Sequence, residues 1–498
     1  MFFLRRSAAQ HRQTPTIVLF GAYRWQHDYI IQDAIDAGLR TVAVVPSRKA
    51  NAIAELRPKR RWRQCGQWLR KLGRRDKPGL REKQCGTPGE LIIETKFSSD
   101  KIRKRYGRDI WVLAMDDYCV AEAARLSQSS SSPCFPVAAA DTVRCKQILR
   151  EKWNELSRGT QLLKPVEYQL CQFDSFSAQT PCQTVTSELF HHSDIEQFVV
   201  KPDSLAGSIA VLASTRSQLP ENVSTVLRTL GRDWQEFGKR NELPVDPVVL
   251  VEERIARSPR LHESAEFSAE FVSFAGQHQF IGFTQKWVSE NFMETAHVHP
   301  PIHDELPSRL KDAACEVIKS LLESMDVRYG ISHWEFIVTG DDRIALVEGH
   351  LRPPGDNINQ LVGLATGTRL TDRLLAKISG KPLPLSAMQN RYAGIFWLAP
   401  SCPVWNVVSV ESSKMPGCQL KIDDGDALYR YTNESPYVGP TGWGNRHLSV
   451  QVEASSSQQL IERLELFVVG ARLVCKHDST THDVPLHAVF SHRESSVQ

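Results

Sequence analysis

Two carboxylates, Glu335 and Glu348, occupy polar positions in neighbouring runs of alternating apolar and polar residues, 331–339 and 344–350. Such runs on either side of a short polar segment predict a β-hairpin. Carboxylates that face each other on a sheet repel, so their pairing is stable when a cation lies between them. Mg²⁺ suits this place because it takes one or two carboxylates and completes its coordination with substrate phosphates and water. The alternative is a surface hairpin whose acidic side chains face water.

The turn of this hairpin sets how its strands pair. If Gly340 and Arg343 close a two-residue turn, the two glutamates lie opposite each other and His333 lies opposite His350 on the same face. The other face then carries an apolar set that suits a core: Trp334, Phe336, Val338, Ala345 and Val347.

Other side chains along the chain could bind phosphate. Lys201 ends a predicted strand just before a loop with Ser208, and such a loop can point backbone N–H groups at a phosphate. Lys146 is a second candidate cation, and Arg352 is a fork-shaped donor suited to phosphate or carboxylate. Taken alone, a single lysine is more often a surface residue. No segment matches the G-x-x-x-x-G-K-[ST] phosphate loop, and no G-x-G-x-x-G follows the first strand.

Length and composition limit the number of domains and the class of protein. The 498 residues are enough for two to four domains. With 41% hydrophobic and 24% charged residues the chain is ordinary for a globular protein, and a formal net charge of +4 gives no reason to expect a nucleic-acid partner. Twelve Lys or Arg concentrate in residues 57–83, which are either a solvated insertion or a contact for an acidic partner.

Compartment follows from apolar runs and cysteines. No apolar run reaches membrane-spanning length, and the first residues lack the order of a secretory signal. The eleven cysteines are scattered, odd in number and without a C-x-x-C pair, which predicts free thiols and neither disulfides nor a zinc site. We therefore predict a cytoplasmic protein with no membrane partner.

Secondary structure predicts where the candidate residues lie. A strand, helix and strand at 16–21, 29–37 and 40–45 predict a parallel α/β sheet, and the Ser-rich residues 127–136 predict a linker. The middle of the chain mixes helices and strands, and residues after 393 predict a smaller α+β region with a helix at 458–467. The middle helices are predicted at 141–153, 223–237, 313–325 and 370–379, and the strands at 198–202, 248–251, 266–274 and 279–288.

In their order, these motifs resemble the ATP-grasp superfamily over residues 136–384. The Val-Val-Lys-Pro run ending at Pro202 and the loop after it are similar to the family's phosphate-binding strand and flap. The resemblance implies that Lys146, Lys201 and Ser208 contact the phosphates of ATP. It also implies that Glu252, Glu253 and Ile255 form an adenine-binding hinge. Glu266 is then the acid that binds the ribose, and Glu335 and Glu348 are the pair that binds the metal.

Two segments resemble the dipeptide-forming L-amino-acid ligases within this superfamily, the bacilysin-synthetase-like branch. Glu294 and His297 match the glutamate–histidine segment beside the amino-acid site, and Glu348 and Arg352 have the branch's spacing. The likeness implies that Arg352 and His297 are catalytic and that both bind substrate together with Glu294. His350 stands where many relatives have asparagine, which leaves its part in metal binding open.

The resemblance implies three domains and a ligase activity. The domains are a Rossmann-like pre-ATP-grasp domain at 1–135 with the basic insertion, an ATP-grasp domain at 136–384 and a small α+β domain at 385–498. The implied reaction joins two L-amino acids through an acyl phosphate with release of ADP. Mg²⁺ is the implied metal, Mn²⁺ could replace it, and a homodimer is compatible with the family.

Three other functions stay open at this point. The first is an ATP-grasp ligase or carboxylase-like enzyme that acts on a different carboxylate and acceptor. The second is a nucleotide-binding module without catalysis. The third is an interaction protein that works through its basic segment, whose binding would weaken steeply with salt.

Overall fold

The described residues of this computed structural model form two compact units, Met1–Cys134 with Leu375–Pro382, and Phe135–Leu374 with Leu383–Gln498. The basic segment 57–83 and Ser208 lie outside the described residues. No helix in the described ranges is both long and apolar enough to cross a membrane. These ranges are 15–21, 28–44, 91–94, 99–106, 110–130, 133–172, 194–204, 210–230, 248–302, 306–383, 391–422, 428–440, 446–477 and 480–489.

The first unit contains the parallel sheet that the sequence predicts. Its strands are ordered β3-β2-β1-β4, and all neighbours run parallel. Ile17, Val18 and Leu19 of the central strand are fully buried, which explains why this strand is an uninterrupted apolar run. The elements are β1 (Thr16–Phe20), α1 (Asp28–Asp36), β2 (Arg40–Val44), β3 (Leu91–Glu94), α2 (Ser99–Tyr106), β4 (Ile110–Ala114) and α3 (Val120–Ser130).

The predicted linker at 127–136 is wrong in its first part, because α3 continues to Ser130. Ala123, Ala124 and Leu126 are fully buried along this helix, and Ser127 is also buried. The apolar face therefore carries the helix into the serine run, whose low complexity concealed it.

The second unit contains two antiparallel sheets. The smaller has the order β5-β8-β6-β7. The larger has eleven strands, in the order β13-β12-β9-β10-β11-β14-β19-β18-β15, with β17 on β14 and β16 on β17. The strands are β5 (Tyr168–Gln172), β6 (Gln197–Pro202), β7 (Leu212–Thr215), β8 (Val248–Glu253), β9 (Glu266–Phe274), β10 (Gln277–Val288), β11 (Glu294–His299), β12 (Gly330–Val338), β13 (Ile344–His350), β14 (Tyr392–Pro400), β15 (Val407–Glu411), β16 (Cys418–Ile422), β17 (Leu448–Ala454), β18 (Arg472–His477) and β19 (Thr480–Ala488).

One predicted helix, 141–153, is in fact two. The helical conformation is interrupted at Cys145, which has extended backbone angles and separates the two helices. The side chain of Asp203 accepts the N–H of Gln147, and its carbonyl accepts the N–H of Lys146, so a new helix begins there. The helices of this unit are α4 (Val137–Arg144), α5 (Lys146–Ser157), α6 (Leu219–Thr229), α7 (Ser308–Ser324), α8 (Ile358–Thr366), α9 (Leu370–Ser379, whose last residues belong to the first unit) and α10 (Ser457–Val469).

The strands after residue 391 continue the large sheet. β14 pairs with β11 on one edge and with β17 and β19 on the other. One hydrophobic core runs across this junction, from Val298 of β11 through Phe396 of β14 to Leu464 of α10. Residues on both sides of the second predicted domain boundary therefore share one sheet, and the division into three domains stays a prediction.

Candidate active site

The β12–β13 hairpin places Glu335 opposite Glu348 and His333 opposite His350, as the alternation predicts. The predicted turn is wrong, because Thr339 and Arg343 close a loop of three residues. The Thr339 hydroxyl also accepts the N–H of Arg343, which favours this closure.

A bulge in β13 restores the register. Glu335 pairs with Glu348 but the next residue, Phe336, pairs with Leu346, so Val347 is the extra residue. The apolar partners of the hairpin are therefore Leu346 and Ile344, in place of the predicted Val347 and Ala345. One extra residue in the turn and one in the strand cancel at the carboxylates.

Glu335 is held by two cationic groups. Its Oε1 accepts from Lys286 Nζ at 2.6 Å and lies 2.8 Å from His333 Nε2. Burial alone would raise the pKa of Glu335, but Lys286 and His333 hold that pKa well below its usual range. His333 Nδ1 lies 2.9 Å from Glu270, a fully buried carboxylate, and against the effect of burial Glu270 and Glu335 raise the pKa of His333. The pairing favours an imidazolium at His333.

Glu348 has a matching environment. Lys146 Nζ lies 3.4 Å from its Oε1, and His350 Nε2 lies 3.3 Å from its Oε2. Burial opposes ionisation, but Lys146 and His350 lower the pKa of Glu348 to about 2. Both glutamates are therefore ionised at neutral pH. Each keeps close to a fifth of its side chain exposed, so a cation can reach them.

Lys201 and Arg150 both bind the carboxylate of Glu252. Lys201 Nζ lies 2.7 Å and Arg150 Nε 2.9 Å from the carboxylate of Glu252, and all three side chains are buried. Burial lowers the pKa of Lys201, while the two cations hold the pKa of Glu252 below its ordinary value against burial. Arg150 also donates to the carbonyls of Leu346 and Val347, which ties α5 to the bulge of β13.

The remaining predicted nucleotide residues end β8, follow it or begin β9. Glu253 points away from Glu252 and binds Lys164 Nζ at 2.9 Å. Ile255 is half-buried in the segment after the strand. Glu266 binds Arg257 at 2.9 Å, and burial raises the pKa of Glu266 although Arg257 opposes this. β8 pairs with β6, the strand of Lys201, whereas Glu266 belongs to the larger sheet. The role of Glu253, Ile255 and Glu266 toward ATP stays a prediction.

Glu294 begins β11 and connects Glu335 to a second group of charges. Its carboxylate lies 2.5 Å from Lys286 Nζ, 3.3 Å from Arg446 Nη1 and 3.5 Å from His297 Nε2. Burial by itself would raise the pKa of Glu294, but Lys286 keeps it well below its usual range. Arg446 continues the network to Asp356, both of whose oxygens lie 2.9 Å from Nη2.

The sequence predictions missed several members of this site. The predicted member Arg352 follows β13 and donates from Nη1 to the carbonyl of Pro353 at 2.9 Å. The missed residues are those that pair with the predicted ones: Arg150, Asp203, Arg257, Glu270, Lys286, His333, Asp356 and Arg446. Only His333 had a visible signal, its place on the acidic face of the hairpin.

Charge is divided between the two ends of the site. Around Glu348 the cations outnumber the carboxylates, namely Lys146, Arg150 and Lys201 against Glu252 and Glu348. Around Glu335 the carboxylates outnumber the cations even with His333 protonated, namely Glu270, Glu294, Glu335 and Asp356 against Lys286, His333 and Arg446. The first end suits an anion such as a phosphate, and the second suits a further cation.

A metal fits between the opposed glutamates. Both are oxygen donors of the kind that Mg²⁺ prefers. Among the described residues both contacts of Glu335 use Oε1, which leaves Oε2 for a cation. Mn²⁺ accepts the same carboxylate oxygens.

Comparison with known proteins identifies the fold. No protein-family model matches the sequence, and no curated protein matches it. Among solved structures, L-amino acid ligase from Bacillus licheniformis is similar with a TM-score of 0.64 at 13% identity, over 94% of this chain and 100% of that one. Phosphoribosylglycinamide synthetase from Anaerococcus prevotii has a TM-score of 0.57 at 10% identity, over 93% and 100%.

A third similar structure contains nucleotide and metal. It is the biotin carboxylase domain dimer of 2-oxoglutarate carboxylase from Hydrogenobacter thermophilus, with ADP magnesium salt and bicarbonate, at a TM-score of 0.57 and 9% identity over 95% of this chain and 92% of that one. All three matches span nearly the whole of both chains. The chain has the ATP-grasp fold that its motifs predict.

Proposed function

We propose that this protein is an ATP-dependent carboxylate–amine ligase that joins two L-amino acids through an acyl phosphate. The observation that carries the proposal is the pair Glu335 and Glu348, opposed on the hairpin between a cationic and an anionic end. The fold is shared with an L-amino acid ligase, with another synthetase and with a carboxylase domain. The order of charges fits a reaction between a nucleotide phosphate and an amino acid.

The nucleotide would lie at the cationic end. Lys146 and Lys201, with the loop that contains Ser208, would hold the phosphates. Glu252, Glu253 and Ile255 would lie by the adenine, and Glu266 by the ribose. Glu335 and Glu348 would hold Mg²⁺ or Mn²⁺, which when bound neutralises charge on the transferring phosphate.

The amino acids would react at the other end. A carboxylate oxygen of the first attacks the γ-phosphorus, ADP leaves, and an acyl phosphate forms. The amine of the second attacks the acyl carbon, the C–O bond to phosphate breaks, and a proton leaves the nitrogen. Glu294 would hold the first ammonium, and Arg352 and His297 would donate to the oxyanion, a contribution of about 10²–10³ in rate for each donor.

ADP release in the presence of amino acids tests this proposal. Purified protein, ATP and Mg²⁺ are incubated with pools of L-amino acids, and the products are read by mass spectrometry. We expect ADP, phosphate and a new mass equal to two amino acids minus water. Release of AMP and pyrophosphate would refute the acyl-phosphate route.

The same assay tests the competing carboxylase-like function when bicarbonate is added. Bicarbonate is chosen because one similar structure contains bicarbonate and MgADP. ADP release that needs bicarbonate and ignores amino acids would replace the proposal with a carboxylase-like reaction. ATP binding without any turnover would favour a binding module, and absence of ATP binding would contradict a nucleotide site of any kind.

A further inference from the structure

Three potential ligand atoms converge beside the metal pair. One atom each from Glu294, His297 and Asp356 lie within 4.8 Å of one another, the sole such group of three within the described ranges. Glu294 and His297 belong to β11, while Asp356 comes from the segment between β13 and α8. The sequence singled out the first two but gave no sign of Asp356.

His297 is the observation that points to a ligand here. Its side chain is fully buried, and no hydrogen-bond partner from the described part of the chain reaches either ring nitrogen. Nε2 lies 3.5 Å from Glu294, too far for a good hydrogen bond. A buried polar group without a partner costs about 1–3 kcal/mol, so a native structure normally keeps one only where something else binds.

Asp356 is held in this group by Arg446. Both carboxylate oxygens lie 2.9 Å from one guanidinium nitrogen, and the guanidinium stacks 4.4 Å over the ring of Trp397. The same ring packs edge-on against His297 with centroids 5.1 Å apart. Arg446 and Trp397 thus fix the orientation of Asp356 relative to His297, and the second lone pair of each Asp356 oxygen stays available.

An ammonium group fits these three acceptors better than a metal ion. Acceptors about 2.8 Å from an ammonium nitrogen are about 4.6 Å apart in tetrahedral geometry, a separation inside the 4.8 Å that encloses the three ligand atoms. A metal at about 2.1 Å holds its ligands roughly 3–3.5 Å apart, which the 3.5 Å between Glu294 and His297 Nε2 also allows, so charge decides between the two. Lys286 and Arg446 already contact Glu294, and two fixed cations repel a dication about twice as strongly as a single positive charge.

We propose that Glu294, His297 and Asp356 together bind one primary ammonium group of the first substrate, which makes Asp356 a substrate-binding residue and Arg446 its positioning residue. This inference rests on the proposed ligase function and extends its amino-acid site. An imidazole that accepts with one ring nitrogen and donates with the other can serve both proposed roles of His297.

Hydroxamate formation tests the first substrate separately from the second. The full-length protein receives ATP, Mg²⁺, excess hydroxylamine as the amine, and an equimolar pool of the twenty L-amino acids. Hydroxylamine attacks the acyl phosphate, phosphate is released, and a hydroxamate forms. The hydroxamate is measured as its coloured complex with added iron. We expect Asp356→Asn to raise the pool concentration for half-maximal rate about 10–100-fold, the loss of a hydrogen bond between charged groups, with the KM for ATP unchanged.

Asp342→Asn is the matched control. Asp342, like Asp356, is an aspartate with positive φ that pairs with an arginine, but it lies on the exposed hairpin loop. Arg446→Lys should restore part of the affinity that Arg446→Met loses, with the effect in KM and little in kcat. An N-acetylated pool should give no hydroxamate. When lysine is omitted from the pool of free amino acids, hydroxamate still forms if the site binds an α-ammonium group. Its formation is lost if the site binds a side-chain ammonium group.

The failures are distinguishable. No ADP and no hydroxamate from the wild-type protein would overturn the ligase proposal and this inference with it. Hydroxamate formation in which Asp356→Asn keeps the wild-type half-maximal concentration would overturn the inference alone. Equal use of the N-acetylated pool would do the same.

Discussion

Replacement of Lys286 by methionine should destabilise the protein strongly and in a way that metal partly reverses. Lys286 is 1% exposed, and its Nζ lies 2.5 Å from Glu294 and 2.6 Å from Glu335. Those two carboxylates, against the effect of burial, hold the pKa of Lys286 above its ordinary value, so it is charged at neutral pH. Methionine fills a similar volume but leaves both carboxylates without this partner.

The expected loss is about 3 kcal/mol in the free energy of unfolding. Removal of one member of a buried ion pair costs about 3–5 kcal/mol. Here Glu294 keeps Arg446 and Glu335 keeps His333, so neither carboxylate is left alone and the lower limit applies. Mg²⁺ at Glu335 would supply part of the missing positive charge, and so should stabilise the variant more than the wild-type protein.

Urea unfolding with and without Mg²⁺ measures both effects. Lys319→Met is the control, because Lys319 pairs with Glu316 on the exposed face of α7 and such a pair contributes about 0–1 kcal/mol. A loss for Lys286→Met no larger than for Lys319→Met would refute the idea that this lysine compensates two buried charges. An equal effect of Mg²⁺ on wild-type and variant would refute the idea that Mg²⁺ replaces the charge of Lys286 at Glu335.

Three further perturbations have expected outcomes. Glu348→Gln should lower amino-acid-dependent ADP release at least about 10²-fold and weaken Mn²⁺ binding in a calorimetric titration. Because folding lowers the pKa of Glu348 from 4.5 to about 2, this group stabilises the fold above its unfolded pKa, and circular dichroism should show stability lost as pH falls from 4.5 toward 2. Asp203→Ala should cost about 0.5–2 kcal/mol, since Asp203 caps α5, and should raise the KM for ATP by displacing Lys146.

The sequence predicted the metal pair because a local pattern contained it. Alternation along the two runs places Glu335 and Glu348 on one face whatever the exact turn, provided that the unpaired residues of the turn and of any bulge are even in total. The turn was wrong by one residue, and the bulge at Val347 corrected it. A bulge depends on tertiary contacts, here the bonds from Arg150 to the β13 backbone, and no local pattern signals these.

The partners of the predicted residues were beyond sequence reasoning for a similar reason. Lys286 lies in an alternating strand, where a lysine normally predicts a solvent-facing position, yet it is buried because β9 and β12 bring other charges to the same face. Arg446 reaches Glu294 across 152 residues. Pairing of this kind is decided by sheet order, which the single sequence does not specify.

The same logic explains why so many charges can stay buried in one sheet. A buried ion pair is often no more stable than an apolar pair of the same shape, so its presence is weak evidence for a stabilising role. The chain nevertheless buries Lys286, Arg446, Glu270 and His333 in an unbroken series of ion pairs that runs from Asp356 through Glu335 to Glu270. Such a series fixes the carboxylates before any ligand arrives, which lowers the cost of organising a site for charged substrates. Substitution of one member should therefore affect ligand affinity at the next member as well as stability.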